Sequence, residues 1–517
     1  MRKYVILILC GLLFNSCGKF LEEFSQDLAY AESCTDLDEI LIGNGYMDQP
    51  TFATEASIYG NGYYPYIHVM DDDVVMTIFK KDGTRDVINN LVSFKNFYDW
   101  SDQLTINPKT EEEWEDRDWE KMYSHIAYLN VIIAHVKKFT NDSVEIRNRI
   151  EGEARFLRGA YYYLLVNLYA NPYVKETAST DMGVPLNLTE DIVDEYYKRN
   201  SMEECYRVIV EDLKAAAEKL KGVTQPTIYR VNELAARVLL SRVYLYMGEW
   251  QLALDECQKA LALEGVELMD LNSFPGREGN RNMLDVQNPE IVFTQGYNAT
   301  TLFYKDISYF MICSFACSEE LISLYNQWDD QGVKDLRLNA FFELHGDEQY
   351  KVAKVVEKVY DCFVIRSAEL YLNKAEAEAM LDKADAKQTI KTLLYNRFEG
   401  EIPPVDGLSG KDLVSFIRDE RRRELCFEAH RWFDLRRYSV CPKYPSTQEI
   451  IHVVHEYTTK EVPTEIYKLA AYNVDNRGWV LPIPGYTITF NGVIMIQNER
   501  EESKKYEYIA SEHEKYD

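Results

Sequence analysis

The stretch IRDERRRELCFEAHRWFDLRRYS, residues 417–439, gathers seven arginines, three glutamates, two aspartates and a histidine. Residues of these types serve a carboxylate pair for acid–base work, a cationic grip on phosphate, or ion pairs that hold a scaffold. Acidic residues alternate with the arginines, which argues against the grip. Written as one helix, the stretch sets Leu425, Glu428, Ala429, Trp432 and Leu435 along one face, so Glu428 falls inside an apolar stripe. A lone charge there is too costly to survive burial. Arg431 on the same helix, and Arg155 and Arg158 in EARFLRGAYYYLL, are candidate partners. The expectation is a buried ion-pair network between two helices, made from Arg155, Arg158, Glu424, Glu428 and Arg431. A catalytic carboxylate pair is the competing reading.

Other chemistry-bearing residues are sparser. Asp71, Asp72 and Asp73 are adjacent, without the alternating spacing of a calcium loop, and read as a solvated loop. His452 and His455 in HVVHE lack the HExxH arrangement and read as a chance pair. There is no GxSxG, no phosphate-cradling glycine loop and no CxxC. No cofactor is expected, calcium is left open, and no disulfide is assigned among the cysteines. Aromatic residues are abundant, with 38 tyrosines, and an aromatic ring with polar neighbours suits a sugar's apolar face and hydroxyl rim. The candidate ligand contacts are Asn96, Tyr98, Trp100 and Asp102 in SFKNFYDWSDQ, Tyr297, Asn298 and Tyr304 in QGYNATTLFYKD, and Trp328. Trp250 and Trp432 read as scaffold.

The elements that must position these residues are mostly helical. Thr110 and Glu113 make a capping-box pattern before Trp119, Met122, Ile126, Leu129 and Ile133, and Ser201 with Glu204 makes another. Residues 234–261 place Leu240, Ser241, Tyr244, Gly248, Trp250, Ala253 and Ala260 where a tetratricopeptide hairpin puts its large and small residues, the small ones allowing close approach of two helices; 367–394 is a weaker echo. The segments 43–109 and 265–350 read as long functional loops. EIVFTQ (290–295) and GWVLPIP (478–484) suggest minor strands.

The chain opens with Arg2 and Lys3 before the apolar run Tyr4–Phe14, too short to span a bilayer and shaped like a secretory leader. LLFNSCG then resembles a lipobox, making 1–16 a lipoprotein signal peptide and Cys17 the acylated anchor. The net charge of −28 argues against nucleic-acid partners.

Several motifs in order resemble the SusD/RagB family: NSCGKFLEE, YIHVMDDDVV, EARFLRGAYYYLLVNLYANPYV with GVPL, NPEIVF, RSAELYLNKAEAEAM, IRDERRRELCFEAHRWFDLRR and WVLPIPGYTITFNGVIMIQNE. Gly159 and Asn171 depart from the usual wording. The resemblance implies a mainly α, SusD-like fold with tetratricopeptide-like hairpins, irregular loops and a few short strands. Residues 17–517 would form a single domain whose portions, about 18–265 and 266–517, pack together. It further implies a lipid-anchored, surface-exposed outer-membrane protein that captures a glycan and hands it to a SusC-like TonB-dependent transporter. In this family the shared motifs build scaffold and variable loops touch ligand. Peptide or other nutrient cargo is the alternative within the family, and a surface hydrolase the alternative outside it.

Overall fold

The computed structural model describes residues 31–48, 63–81, 84–86, 92–106, 111, 116–191, 195–274, 282–300, 306–307, 312–345, 349–355, 358–457, 461–500 and 504–507. The leader, Cys17, Thr110, Glu113 and Tyr304 lie outside them.

Helices dominate, and their starts follow local chemistry. After α1 (Cys34–Ile40) and α2 (Val92–Tyr98), α3 spans Asp118–His135 and buries Trp119, Met122, Ile126 and Leu129. The helix α4 (Val144–Tyr169) begins where the Ser143 side chain accepts from Ile146 N–H, and stops before Pro172. The Ser201–Glu204 capping box is formed at the head of α5 (Met202–Lys219). Asn232 caps α6 (Glu233–Tyr246), which turns through Gly248, at φ +71, into α7 (Trp250–Leu261). Ser241, Ala253 and Ala260 are fully buried, so the small residues lie where these helices approach. Further along are α8 (Glu319–Tyr325), α9 (Arg337–Phe341) and a second hairpin of α10 (Ser367–Met380) and α11 (Asp385–Leu394). Then come α12 (Gly410–Leu425), α13 (Arg431–Ser439) and α14 (Gly485–Asn491). Helices α3 to α7 pack each on the next, α7 packs on α10, and α10 packs on α12.

The strands are more substantial than the sequence reading expected. β1 (Val74–Lys81) lies inside one of the presumed loops and carries β2 (Thr84–Asp86). The expected strand at 290–295 is present as β3 (Ile291–Gln295), and β4 (Phe315–Cys317) lies beside Val74–Met76 of β1. β5 (Phe363–Arg366) pairs with β3. β6 (Ile450–Tyr457) runs parallel to β1, with Met76 opposite Val454, and antiparallel to β7 (Glu461–Leu469), which carries β8 (Lys504–Glu507). Residues 478–484 form no strand; they are a largely buried loop tied by Leu481 N–H donating to Leu168 O.

Candidate functional site

The opening stretch is two helices rather than one. Between α12 and α13 the chain turns, with Phe427 and Ala429 at φ +57 and +61, and this break aims Glu428 away from the stripe a continuous helix would give. Glu428 meets Arg366, whose Nε and Nη2 lie 2.8 and 2.9 Å from its oxygens, and Lys354. Glu424 is shared by Arg366 (2.6 Å), Arg397 (2.9 Å) and Arg337 (3.1 Å). Arg397 and Arg366 also hold Glu290, while Arg337 holds Asp335 and Glu420, and Glu420 holds Arg423. Five cations (Arg337, Lys354, Arg366, Arg397, Arg423) therefore face five anions (Glu290, Asp335, Glu420, Glu424, Glu428), all essentially without solvent contact. Burial alone would raise the Glu424 carboxyl, but the Arg397 and Arg366 charges outweigh it and hold the group well below its ordinary range. Glu428 and Glu420 are lowered on the same balance. Asp335 moves the other way, raised by burial despite Arg337, yet like the other members it is closed to solvent.

The expected partners of Glu428 are elsewhere. Arg158 makes a two-pronged contact with Asp212 of α5 (2.7 and 2.8 Å) and Arg155 joins it at 2.9 Å, so this is a separate network between α4 and α5. Arg431 pairs with Asp72 at 2.6 and 2.7 Å. The acidic triplet is thus not a solvated loop. It is buried, with Arg422 also reaching Asp73 at 2.7 Å, because two guanidinium groups draw it inward. Burial and the neighbouring Asp73 and Asp72 charges push Asp71 well above the usual carboxylate range.

The candidate ligand contacts are mostly turned inward. Tyr98 and Trp100 have no exposed surface; the His452 ring stacks between them at 4.0 and 4.2 Å, and Trp100 Nε1 donates to Met70 O. His452 is therefore a core residue, its ring nitrogens 2.6 and 2.7 Å from Tyr98 O and Asp71 O. Asn96 is buried and donates to Gln103 O and Ile106 O. Tyr297 and Asn298 are buried too, Asn298 accepting from Asp361 N–H. The Trp328 ring is covered by Arg423, whose guanidinium carbon sits 4.6 Å from its centre. Asp102 alone of the described candidates is exposed. The physical reason is common: aromatic bodies bury unless something pulls them out.

Two exposed aromatics form a pair that the reading of the sequence missed. Tyr196 is 66% exposed and Phe490 61%, with ring centres 6.1 Å apart and edge-to-face. Tyr486, one turn before Phe490 on α14, is anchored by its hydroxyl to Asp116 O. Gly492, at φ +57, then turns the chain and sets Val493, Ile494 and Ile496 outward. The mount is firm. Asn491 accepts from Tyr197 N–H at 2.7 Å and donates to Thr487 O. Arg199 reaches Gly183 O, Tyr169 O and Asn498, and Asn498 reaches Leu481 O. Exposed rings and aliphatic side chains close together in sequence on such a support mark a candidate contact surface.

Residues 61–245 match a family model described as starch-binding and associating with the outer membrane, and residues 291–500 match the SusD family model. The chain belongs to the SusD/RagB family. A SusD-like protein of Formosa agariphila is 22% identical over 437 residues, 74% of this chain and 79% of the relative. Among solved structures, a SusD superfamily protein from Bacteroides thetaiotaomicron superposes with a TM-score of 0.66 at 21% identity, covering 90% of this chain and all of the other. A structure described as a putative sugar-binding protein, from Bacteroides vulgatus, has the same TM-score at 24% identity and covers 90% and 98%. The mainly α SusD-like fold is thereby established.

In this SusD/RagB chain the family-like wording marks the ionic core. Glu290 comes from NPEIVF, Arg366 immediately precedes the serine of SAELYLNKAEAEAM, and Glu420, Arg423, Glu424 and Glu428 come from the opening stretch. Apolar neighbours signal Glu428, between Phe427 and Ala429, and Glu290, between Pro289 and Ile291, but not their partners. Nothing comparable announced Tyr196 or Phe490.

Proposed function

We propose that the protein is a non-enzymatic nutrient-binding lipoprotein, anchored in the outer membrane through acylated Cys17, that captures a glycan and passes it to a SusC-like TonB-dependent transporter. The observation that carries this is the match of residues 61–245 to a family model described as starch-binding and outer-membrane-associating. The geometry supports the non-enzymatic part, because the densest cluster of carboxylates and arginines is charge-matched and closed to water. We assign the capture surface to Tyr196 and Phe490. A sugar ring lays its apolar face on such rings while its hydroxyls reach exposed polar neighbours, here Glu195 and Lys198. The aliphatic rim of Val493, Ile494 and Ile496 supports a second reading, peptide cargo with an apolar side chain on the same patch.

Titration calorimetry of the mature form against polysaccharides and peptide mixtures, with the products analysed afterwards, tests this. Saturable heat from a polysaccharide without cleavage is the expected result. Heat from peptides alone would transfer the reading to peptide cargo, and released products would overturn the non-enzymatic assignment.

A further inference from the structure

Beside the charge-matched hub lies a second arginine cluster that is not matched. Arg242 is held by Glu369 at 2.6 Å, Arg421 by Asp434 at 2.8 Å, and Arg437 by Asp434 and Glu376 at 2.7 and 2.8 Å. Among the described residues the fourth arginine, Arg418, comes no closer to a carboxylate than 3.7 Å, to Glu376, which Arg437 already occupies. Within this group four cations share three anions, whereas Arg422 and Arg431 across the cavity face Asp72, Asp73 and Glu320. Arg418 is 7% exposed, its Nη1 donates to Tyr444 O, and its Nε and Nη2 have no hydrogen-bond partner among the described residues. A buried guanidinium in that condition is costly, because it offers donors only, two of them are unmet, and its nearest counterweights are Glu376 at 3.7 Å and the Tyr438 ring, 4.2 Å from its carbon.

Arg418 lines a small cavity together with Arg421, Arg422, Arg431, His430 and Asp434. The cavity is small, about 10 Å³, enough for one water or one monatomic ion. Its wall is mostly donors. Arg421 Nη2 lies 3.3 Å from His430 Nδ1, and since arginine has no lone pair, Nδ1 must accept and the ring proton sits on Nε2. Burial and the charges of Arg242 and Arg421 keep that imidazole neutral by pushing it well below its usual range. The lining carboxylate, Asp434, is already held by Arg421 and Arg437. The occupant has to accept hydrogen bonds, and a negative charge also removes the surplus that a water would leave.

We propose that this cavity between α12 and α13 is a halide site, taking a chloride that completes the charge balance of the arginine cluster. The test uses the whole protein, prepared in sodium gluconate and melted in gluconate, chloride or bromide at one ionic strength, with bromide-soaked crystals measured at the bromine edge. A ligand that binds only the folded state raises the melting temperature with its concentration. Chloride and bromide should therefore raise it above gluconate in a saturable way, and an anomalous peak should lie beside Arg418. In Arg418→Gln the halide increment should vanish. Should that variant fail to fold, the bromide peak in the unaltered protein decides alone. Identical melting in the three salts with no peak would mean that the cavity holds water and would overturn the proposal.

Discussion

The hub around Glu424 and the edge around Phe490 solve opposite problems. At the hub, five cations and five anions are brought together without solvent, each neutralising another. At the edge, rings and aliphatic side chains are held out in water on a mount of hydrogen bonds between side chains and backbone. The densest chemical wording in the chain thus builds the inside, and ordinary wording builds the surface that can meet a partner. Perturbed charges mark functional sites only when something is left for them to do. Here they are consumed by one another.

Substitutions in the two regions should separate stability from binding. The largest loss is expected for Glu424→Ala, which takes one shared carboxylate from three guanidinium groups and leaves the closed hub one negative charge short; breaking a buried pair costs about 3–5 kcal/mol, read as a fall in unfolding free energy by denaturant titration. Trp100→Ala should be comparable, about 3–5 kcal/mol, because a wholly buried indole leaves a cavity beside His452. An unchanged denaturation midpoint in either variant would remove the hub, or the buried aromatic stack, from the account of stability.

Acid should reach the hub by the same route. Glu424, Glu428 and Glu420 have folded-state values below their unfolded ones, so their contribution is fully present above the unfolded carboxylate range, near pH 4.3, and is lost as pH falls below it. Stability measured from pH 6 down to pH 3 should drop steeply at the acid end. In Glu424→Gln the slope should be shallower. Arg158→Ala should cost less, about 1–3 kcal/mol, since Arg155 remains at 2.9 Å to hold Asp212 and leaves it partly satisfied.

How much could be read beforehand follows the same division. The hairpins at 234–261 and 367–394 were legible because small residues at close approaches leave a periodic mark. That Glu428 is buried and paired was legible from its apolar neighbours, but its partners Arg366 and Lys354 were not, because the turn at Phe427–Ala429 re-aims the side chain and no local pattern announced it. The strands at 450–457 and 461–469 were missed because long-range pairing, here with residues 74–81, supplies what local wording does not. Tyr98 and Trp100 were misplaced for a simpler reason. A loop rich in aromatics and amides has the same composition whether its rings face a sugar or, as here, His452.

The smallest stability effect should belong to the residue with the largest effect on contact. Phe490 is 61% exposed and its ring meets Tyr196 at an edge, so Phe490→Ala removes little buried area and should shift unfolding by no more than about 0.5 kcal/mol. If the patch receives a sugar or an apolar side chain, losing one ring should weaken binding by about 0.5–1.5 kcal/mol, roughly two- to tenfold. Calorimetry on Phe490→Ala and Tyr196→Ala, beside the unaltered protein and with the same ligand, gives the comparison. Weaker binding at unchanged melting places the contact at this edge. Unchanged binding in both variants would move it to another surface, with Asp102 the first of the original candidates to replace, since it is exposed.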